Sequence, residues 1–392
     1  MSDVVILGAA RTPIGAFLGG LAPLTAPKLG SLAIKCALER ASIAPDQVDE
    51  VFMGNVIQAG VGQAPARQAS LGAGIPNTVP CTTVNKVCGS GLKAVMLATT
   101  QIIAGEASLI VAGGMESMSN APYLMRGVRT GLSLGEHHID DANLTDGLVD
   151  AYGHGHMGLG GELAAERCGL SRADQDQFAL SSYQKALAAQ RSGAFDAEIF
   201  KVEVPGRKGA TVVIDRDETP RETSLEALAA LRPAFKKDGT VTAGNASKLN
   251  DGAAAVVVAS AERASALGAR PMARVIAQGQ FAQEPEMFLT APRGAIARVL
   301  EKAGWSVGDV DLFEINEAFS GVDCVRRELE IPEDRFNVNG GAVALGHPIG
   351  ASGTRLLVTL LYALRARGKR RGIASLCLGG GEAVALAVEL VQ

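Results

Sequence analysis

No run of apolar residues in this chain approaches the roughly 20 needed to cross a bilayer. The longest aliphatic run, Ala253 to Ala259, has the length of a buried strand. Cationic surplus is also missing: Lys and Arg number 37 against 41 Asp and Glu, a formal charge of −4, which disfavours a nucleic-acid backbone as partner. The chain passes from Met1-Ser2-Asp3 straight into Val4-Val5-Ile6-Leu7 without a basic leader, and it ends without a targeting address, so a cytoplasmic setting is expected. The six cysteines (36, 81, 88, 168, 324 and 377) form no Cys-x-x-Cys pair, and no histidine stands at zinc spacing. No metal is expected, nor a disulfide framework; most of the cysteines should be small buried hydrophobes.

Glycine, by contrast, is abundant: 47 of 392 residues with no Gly-X-Y period, which suggests tight turns and close backbone approaches. Short apolar runs bounded by glycine alternate with Ala/Leu-rich periodic segments, the signature of α/β layering. Strands are expected at Val4–Gly8, Asp49–Met53, Leu109–Ala112, Leu312–Ile315 and Ile373–Leu376. Helices are expected at Leu29–Ser42, Gly89–Gly105 and Arg172–Ala189. An internal repeat runs through this pattern. Val48–Phe52 resembles Val310–Glu314, and Ser90-Gly91 matches Ser352-Gly353, both at an offset of 262, each serine-glycine preceding a helix. Gly113–Glu116 resembles Gly379–Glu382 at an offset of 266, which places a four-residue slip near the basic turn Arg365–Arg371. Two similar halves are therefore expected, with residues 118–247 as an inserted layer that carries binding rather than framework.

Four places suit chemistry. Cys88 lies in Asn85-Lys86-Val87-Cys88-Gly89-Ser90-Gly91, between the strand-like Thr82-Thr83-Val84 and a helix. At a helix N-terminus the unpaired N–H groups and the dipole favour a thiolate, so a lowered pKa is expected. The pattern fits a nucleophile, and also a structural cysteine at a turn. The corresponding place in the second half, Gly346-His347-Pro348-Ile349-Gly350, offers His347 as a general base or as a turn residue bonded to backbone. Cys377, at a strand end before Gly379-Gly380-Gly381, fits an acid or base beside oxyanion-binding amides, or simple packing. Asn316-Glu317 can hold a water or orient a catalytic group, and Asn316 also fits a helix N-cap. His154, His156 and Met157 read as a pocket-lining loop, since no carboxylate or cysteine completes a metal set. His137 and His138 read as solvated.

Jointly, Asn-x-x-Cys-x-Ser-Gly at 85–91, Asn-Glu-Ala-Phe at 316–319, Gly-His-Pro at 346–348 and Cys-x-Gly at 377–379 resemble the thiolase family over essentially the whole chain. Gly113–Ser119, His156-Met157-Gly158 and Ala243–Ser247 are similar to its short-chain branch, which makes and cleaves acetoacetyl-CoA. The resemblance implies a duplicated fold: two α/β halves in a five-layered α-β-α-β-α core with an inserted loop domain. The halves would be residues 1–117 with 248–270, and 271–392, and the loop domain 118–247. It implies that His347 deprotonates Cys88, which takes the acyl group as a thioester, and that Cys377 moves the α-proton of a second acetyl-CoA. An enolate oxygen would be held by His347 and a water on Asn316, and the thioester oxygen by the amides of Cys88 and Gly379. No permanent cofactor is implied; CoA, acetyl-CoA and acetoacetyl-CoA are substrates and products.

The same resemblance lines the pantetheine channel with Ser247, Ala243, Leu148, His156, Met157, Phe235, Leu249, Ala318 and Phe319. It puts Arg221 near the adenine and phosphate end, where Arg207 and Lys208 would add charge. A homotetramer, a dimer of dimers joined through the loop near Met125 to Asp141, is implied as well. Lys86 and the stretch Glu286–Arg293 depart from the family's pattern; the latter bears on acyl-chain length, whereas Met157 would fill space near the thioester and favour a short acyl group. A broader 3-ketoacyl-CoA thiolase of β-oxidation is the second reading. A non-catalytic lipid carrier or scaffold would require loss of Cys88, His347 or Cys377, and all three are present.

Overall fold

The computed structural model describes residues 3–206 and 209–391. Its first half runs β1 (Val4–Arg11), α1 (Ala26–Ala41), β2 (Glu50–Gly54), α2 (Pro65–Gly72), β3 (Cys81–Val84), α3 (Ser90–Ala104) and β4 (Leu109–Ser117). Thr25 caps α1 through its hydroxyl, with Pro27 in the first turn, and Gly105 ends α3 in the left-handed conformation. The inserted stretch carries α4 (Met157–Arg167) and α5 (Arg172–Ser192), the latter opened by a Ser171/Asp174 capping box. The chain then returns through β5 (Asn250–Ser260), β6 (Ala273–Ala282), α6 (Pro292–Ala303) and β7 (Leu312–Ile315). It closes with α7 (Asp323–Glu328), α8 (Ala342–Leu345), α9 (Ile349–Ala366), β8 (Arg371–Leu378) and β9 (Glu382–Leu390).

The strands lie in the order β7-β8-β9-β6-β1-β5-β4-β2-β3, with Gly15–Ala16 pairing on β5 as a tenth. A two-residue pairing of β1 with β6, Val5 to Arg274 and Ile6 to Ala273, joins what are otherwise two sheets. Side chains alternate across each sheet. Ile6, Phe52, Ile110 and Val256 face inward, to a layer made by α3 and α9, while Val5, Val51, Val111 and Val257 face outward to α1 and α2. In the second half Leu312, Ala374 and Leu386 face α3 and α9, and Phe313, Ile373 and Ala385 face α6. Five layers result, and most strands of the two sheets are buried on both faces, β3 and β6 being partly exposed.

The repeat is real, and its offset stays at 262. Glu50 pairs with Ile110 in parallel β2/β4, and Leu312 with Gly372 in parallel β7/β8. Asp49 accepts from the amides of Ser108 and Leu109, and Asp311 from those of Arg370 and Arg371, the same staple 262 residues on. The expected four-residue slip is therefore absent. Gly113–Glu116 lies inside β4, which continues through its glycines to Ser117, whereas Gly379–Gly381 forms the turn after β8. The likeness of these two glycine-rich tetrapeptides does not follow strand register.

Three further expectations change. Ser352-Gly353 does not precede α9 but sits within it, because the helix starts at Ile349. The segment Val87–Ala104 has a mean hydropathy of 1.4 over 18 residues and so is long and apolar enough to span a bilayer by composition, contrary to the sequence reading. It is apolar because α3 is packed between two sheets. Cys168, at the end of α4, is bridged to Cys324 in α7, so two of the expected buried thiols form a disulfide. Sequence could not pair them, since they stand 156 residues apart.

Candidate active site

The two halves meet where glycines remove the side chains between α3, α9 and β4. A Cβ on Gly114 would collide with the backbone of Gly350, one on Gly91 would stand 2.7 Å from Thr354 Oγ1, and one on Gly353 would strike the backbone of Leu92. Gly91 and Gly353 are repeat equivalents, so the duplication itself supplies the close crossing. As a result the N-termini of α3 and α9, and the turns leading into them, come to one place.

The Asn-x-x-Cys-x-Ser-Gly turn is stitched by its own side chains. Asn85 Oδ1 accepts from the Val87 amide at 3.1 Å. Ser90 Oγ accepts from the Lys86 amide at 2.8 Å and donates to the Val87 carbonyl at 2.6 Å. These bonds hold Val87 at φ +47, a strained conformation for a β-branched residue. They leave Cys88 just before the first turn of α3, half-buried beside Val56, Ile57 and Ile349. The amides of Cys88 itself and of Gly379 both act on its sulfur and favour the thiolate. The expected low pKa does not follow: burial pushes the Cys88 thiol up to about 12, with the buried Glu116 adding to the rise and the two amides opposing it. No cation among the groups that act on it offsets the desolvation.

His347 is its counterpart on the turn before α9. Its Nδ1 lies 2.6 Å from Ser352 Oγ, whose own proton goes to the Pro348 carbonyl at 2.9 Å. Ser352 therefore accepts, Nδ1 carries the hydrogen, and Nε2 holds a free lone pair with no partner among the described residues. Burial, helped by the Arg355 charge, lowers the His347 pKa to about 3, so the ring is neutral. Cys377, near the end of β8, is fully buried, and burial, with a smaller contribution from Cys88 beside it, raises its pKa well above the ordinary thiol value. Gly379 comes two residues on, before Gly380 and Gly381 turn the chain in left-handed conformations at φ +88 and +78. Asn316 is fully buried and, among the described residues, neither its Oδ1 nor its Nδ2 has a hydrogen-bond partner. It caps no helix: the chain continues irregularly to a short turn at Ser320–Val322, so that expectation fails and both amide atoms remain free for a ligand.

Beside His347 opens a cavity of about 560 Å³. Ser247, Ala243, Leu148, His156, Phe235, Leu249 and Phe319 all line it, as do Lys248 and Asn250. His156 Nδ1 accepts from the Gly158 amide at 3.0 Å and its ring stacks on Phe235 at 4.6 Å, which leaves an Nε2–H to donate. Two expected lining residues stand elsewhere, and Arg221, expected at the phosphate end, is not in the wall. Ala318 is buried behind the wall, its carbonyl accepting from the Ser247 amide at 3.0 Å. Met157 reaches the Gly379 side, 3.9 Å from where a Cβ there would sit. Arg221 lies outside the wall, its guanidinium 5.9 Å from the Tyr183 ring. Arg207 and Lys208 fall outside the described residues.

Sequence reasoning missed three site residues. Ser352 was only a marker of the repeat, yet it sets the histidine tautomer. Glu116 was likewise only part of a glycine motif. Its buried carboxylate accepts from Asn55 Nδ2 (2.6 Å) and the amides of Val56 (3.0 Å), Ile57 (3.2 Å) and Gly350 (2.9 Å), tying the wall behind Cys88 to the first turn of α9. Lys248 donates to Tyr183 Oη and the Val343 carbonyl, both at 2.7 Å, and burial lowers its pKa to about 8. Its only sequence signal was a charge beside Ser247 in an otherwise small-residue loop.

A duplicated α/β enzyme is thus defined, each half giving one helix N-terminus to a region with an unpartnered imidazole nitrogen on one turn and two thiols that act on each other. The chain belongs to the thiolase family: residues 4–262 match the thiolase N-terminal domain and residues 269–390 the thiolase C-terminal domain. It is 51% identical to the acetyl-CoA acetyltransferase of Cupriavidus necator, over 99% of this chain and 100% of that one. It is 52% identical to the acetyl-CoA acetyltransferase of Pseudomonas aeruginosa, over 98% and 99%. The crystal structure of the Bacillus anthracis acetyl-CoA acetyltransferase is similar throughout, with a TM-score of 0.97, 42% identity and coverage of 100% and 99%. The chain is an acyltransferase of this family.

Proposed function

We propose that this protein is an acetyl-CoA C-acetyltransferase that interconverts two acetyl-CoA with acetoacetyl-CoA and CoA through an acyl-Cys88 intermediate. The observation that carries the reading is that two amides, its own and that of Gly379 from the other half, both act on the Cys88 sulfur, beside a second buried thiol. Amides so placed can hold the oxyanion of a tetrahedral intermediate. The relatives' names and the family's two domains support the substrate.

In the condensing direction His347 Nε2 takes the Cys88 proton as sulfur attacks the acetyl carbonyl. The C–S bond to CoA breaks, and CoA leaves as a thiol with the Cys377 proton. Cys88 is now acetylated, His347 is an imidazolium and Cys377 a thiolate. The Cys377 thiolate removes the α-proton of a second acetyl-CoA, whose enolate oxygen is held by His347 and by a group bound to Asn316. The carbanion attacks the acetyl carbon, the bond to Cys88 breaks, and its thiolate recovers the proton from His347.

CoA serves here as substrate and product, its pantetheine arm in the cavity and its phosphates toward Arg221. Exposed Met125, Val128, Leu132, Leu134 and Ile139 support tetramer assembly through this loop. Met157, packed toward Gly379, supports a short acyl group. Thiolysis assays with acetoacetyl-CoA and 3-ketohexanoyl-CoA test the reading. Faster cleavage of acetoacetyl-CoA is expected; equal or faster cleavage of the longer ester would assign the protein to broader-range β-oxidation thiolases instead.

A further inference from the structure

Lys86, in the turn that carries Cys88, has a partner in the other half. Its Nζ lies 2.5 Å from Oε2 of Glu382, with side chains 21% and 35% exposed. Among the described residues this is the only ion pair between the 85–91 turn and the 377–382 turn. Lys86 stands two residues before Cys88, and Glu382 three after Gly379. Each intervening stretch contains left-handed backbone: Val87 on one side, Gly380 and Gly381 on the other.

The two amides that act on the Cys88 sulfur therefore belong to different halves and to different turns. Within the first turn, Asn85 and Ser90 pin the Lys86 and Val87 amides, but these bonds are local. Across the gap, the Val87 side chain lies against Gly379 and the Leu378 side chain against Gly89, both through apolar contact. Apolar contact has no direction. An oxyanion hole does: donors must lie about 2.7–3.1 Å from the oxygen, and a shift of a few tenths of an ångström weakens them. A charged pair anchored close to both amides supplies the missing constraint.

We propose that the Lys86–Glu382 pair is a clasp between the two halves that sets the spacing of the Cys88 and Gly379 amides, so that both are positioning residues for the acyl oxygen. The inference rests on the reading of Cys88 as the acyl acceptor. It differs from a role for Lys86 in attracting CoA phosphates, which would act on binding rather than on turnover.

The test uses the full chain with Lys86→Met, Glu382→Gln, the double variant, and the exchange Lys86→Glu with Glu382→Lys. In acetoacetyl-CoA thiolysis each single variant should lower kcat about five- to tenfold, less than outright loss of an oxyanion donor, with KM within about twofold. The double variant should be no worse than the worse single, and the exchange should restore most of the loss. Losses that multiply in the double variant, or a raised KM at unchanged kcat in Lys86→Met, would overturn the clasp. Alkylation of Cys88 by iodoacetamide provides a readout without substrate. Both amides favour the thiolate, so the single variants should slow alkylation at fixed pH and the exchange should recover it; unchanged rates in both singles would also overturn the clasp. A wild-type protein inactive on acetoacetyl-CoA would overturn the proposed function and leave the alkylation arm to decide the clasp.

Discussion

Removing the Ser352 hydroxyl tests how the catalytic imidazole is kept ready. In Ser352→Ala the 2.6 Å bond to His347 Nδ1 disappears inside a site where both residues are buried. An unpaired N–H there costs about 1–3 kcal/mol, and the ring can avoid that cost by moving its proton to Nε2. That tautomer presents an N–H to Cys88 where a lone pair is needed. The working form is then disfavoured by a similar energy, and with a factor of ten per about 1.4 kcal/mol the expected fall in kcat is roughly ten- to hundredfold. KM should change little, because Ser352 does not line the cavity. Ser352→Thr, which retains the hydroxyl, should recover much of the rate. Steady-state thiolysis with far-UV circular dichroism as a folding control is the assay. Wild-type kcat in a folded Ser352→Ala protein would refute the argument.

Three other outcomes follow from the same structure. With burial holding the Cys88 thiol near 12, its alkylation rate should climb with pH through about 9 and 10; a plateau below about pH 9 would indicate a thiolate stabilised by a nearby cation. Burial raises the Glu116 carboxyl from 4.5 to about 7, so the folded chain keeps a proton that the unfolded chain releases. The Glu116 contribution is therefore fully present below about pH 4.5 and declines as pH rises to about 7, and urea titrations of Glu116→Gln should lack that slope. Gly114→Ala should destabilise by about 3 kcal/mol or more in urea, since its Cβ meets the Gly350 backbone, which cannot swing aside as a side chain would; a soluble variant of wild-type stability would remove the close crossing from the account.

Much of the architecture was legible because period and repeat are local signals. Val4–Gly8, Leu29–Ser42 and Gly89–Gly105 carry alternation or helical spacing that the observed β1, α1 and α3 follow within a few residues. The duplicated aspartates at 49 and 311 explain why the 262-residue offset could be seen. What stayed hidden depends on distance in space. The protonation of Cys88 could not be read from its place before α3, because a helix N-terminus is visible in sequence and desolvation is not. Glu116 serves donors from residues 55–57 and 350, and Cys168 meets Cys324, pairings that no spacing encodes. Asn316 was recognised as polar at a strand end, but whether it capped a helix depended on the irregular path that follows.

Acyl transfer here requires that Cys88, its proton lost to an imidazole from the other half, carries the acyl group. Mass spectrometry of the protein quenched after mixing with acetyl-CoA tests it most directly. One added acetyl group is expected on the peptide containing Cys88, absent in Cys88→Ala and formed far more slowly in His347→Ala. Acetylation at Cys377 or elsewhere with Cys88 unmodified, or labelling of Cys88 at the wild-type rate without His347, would contradict it.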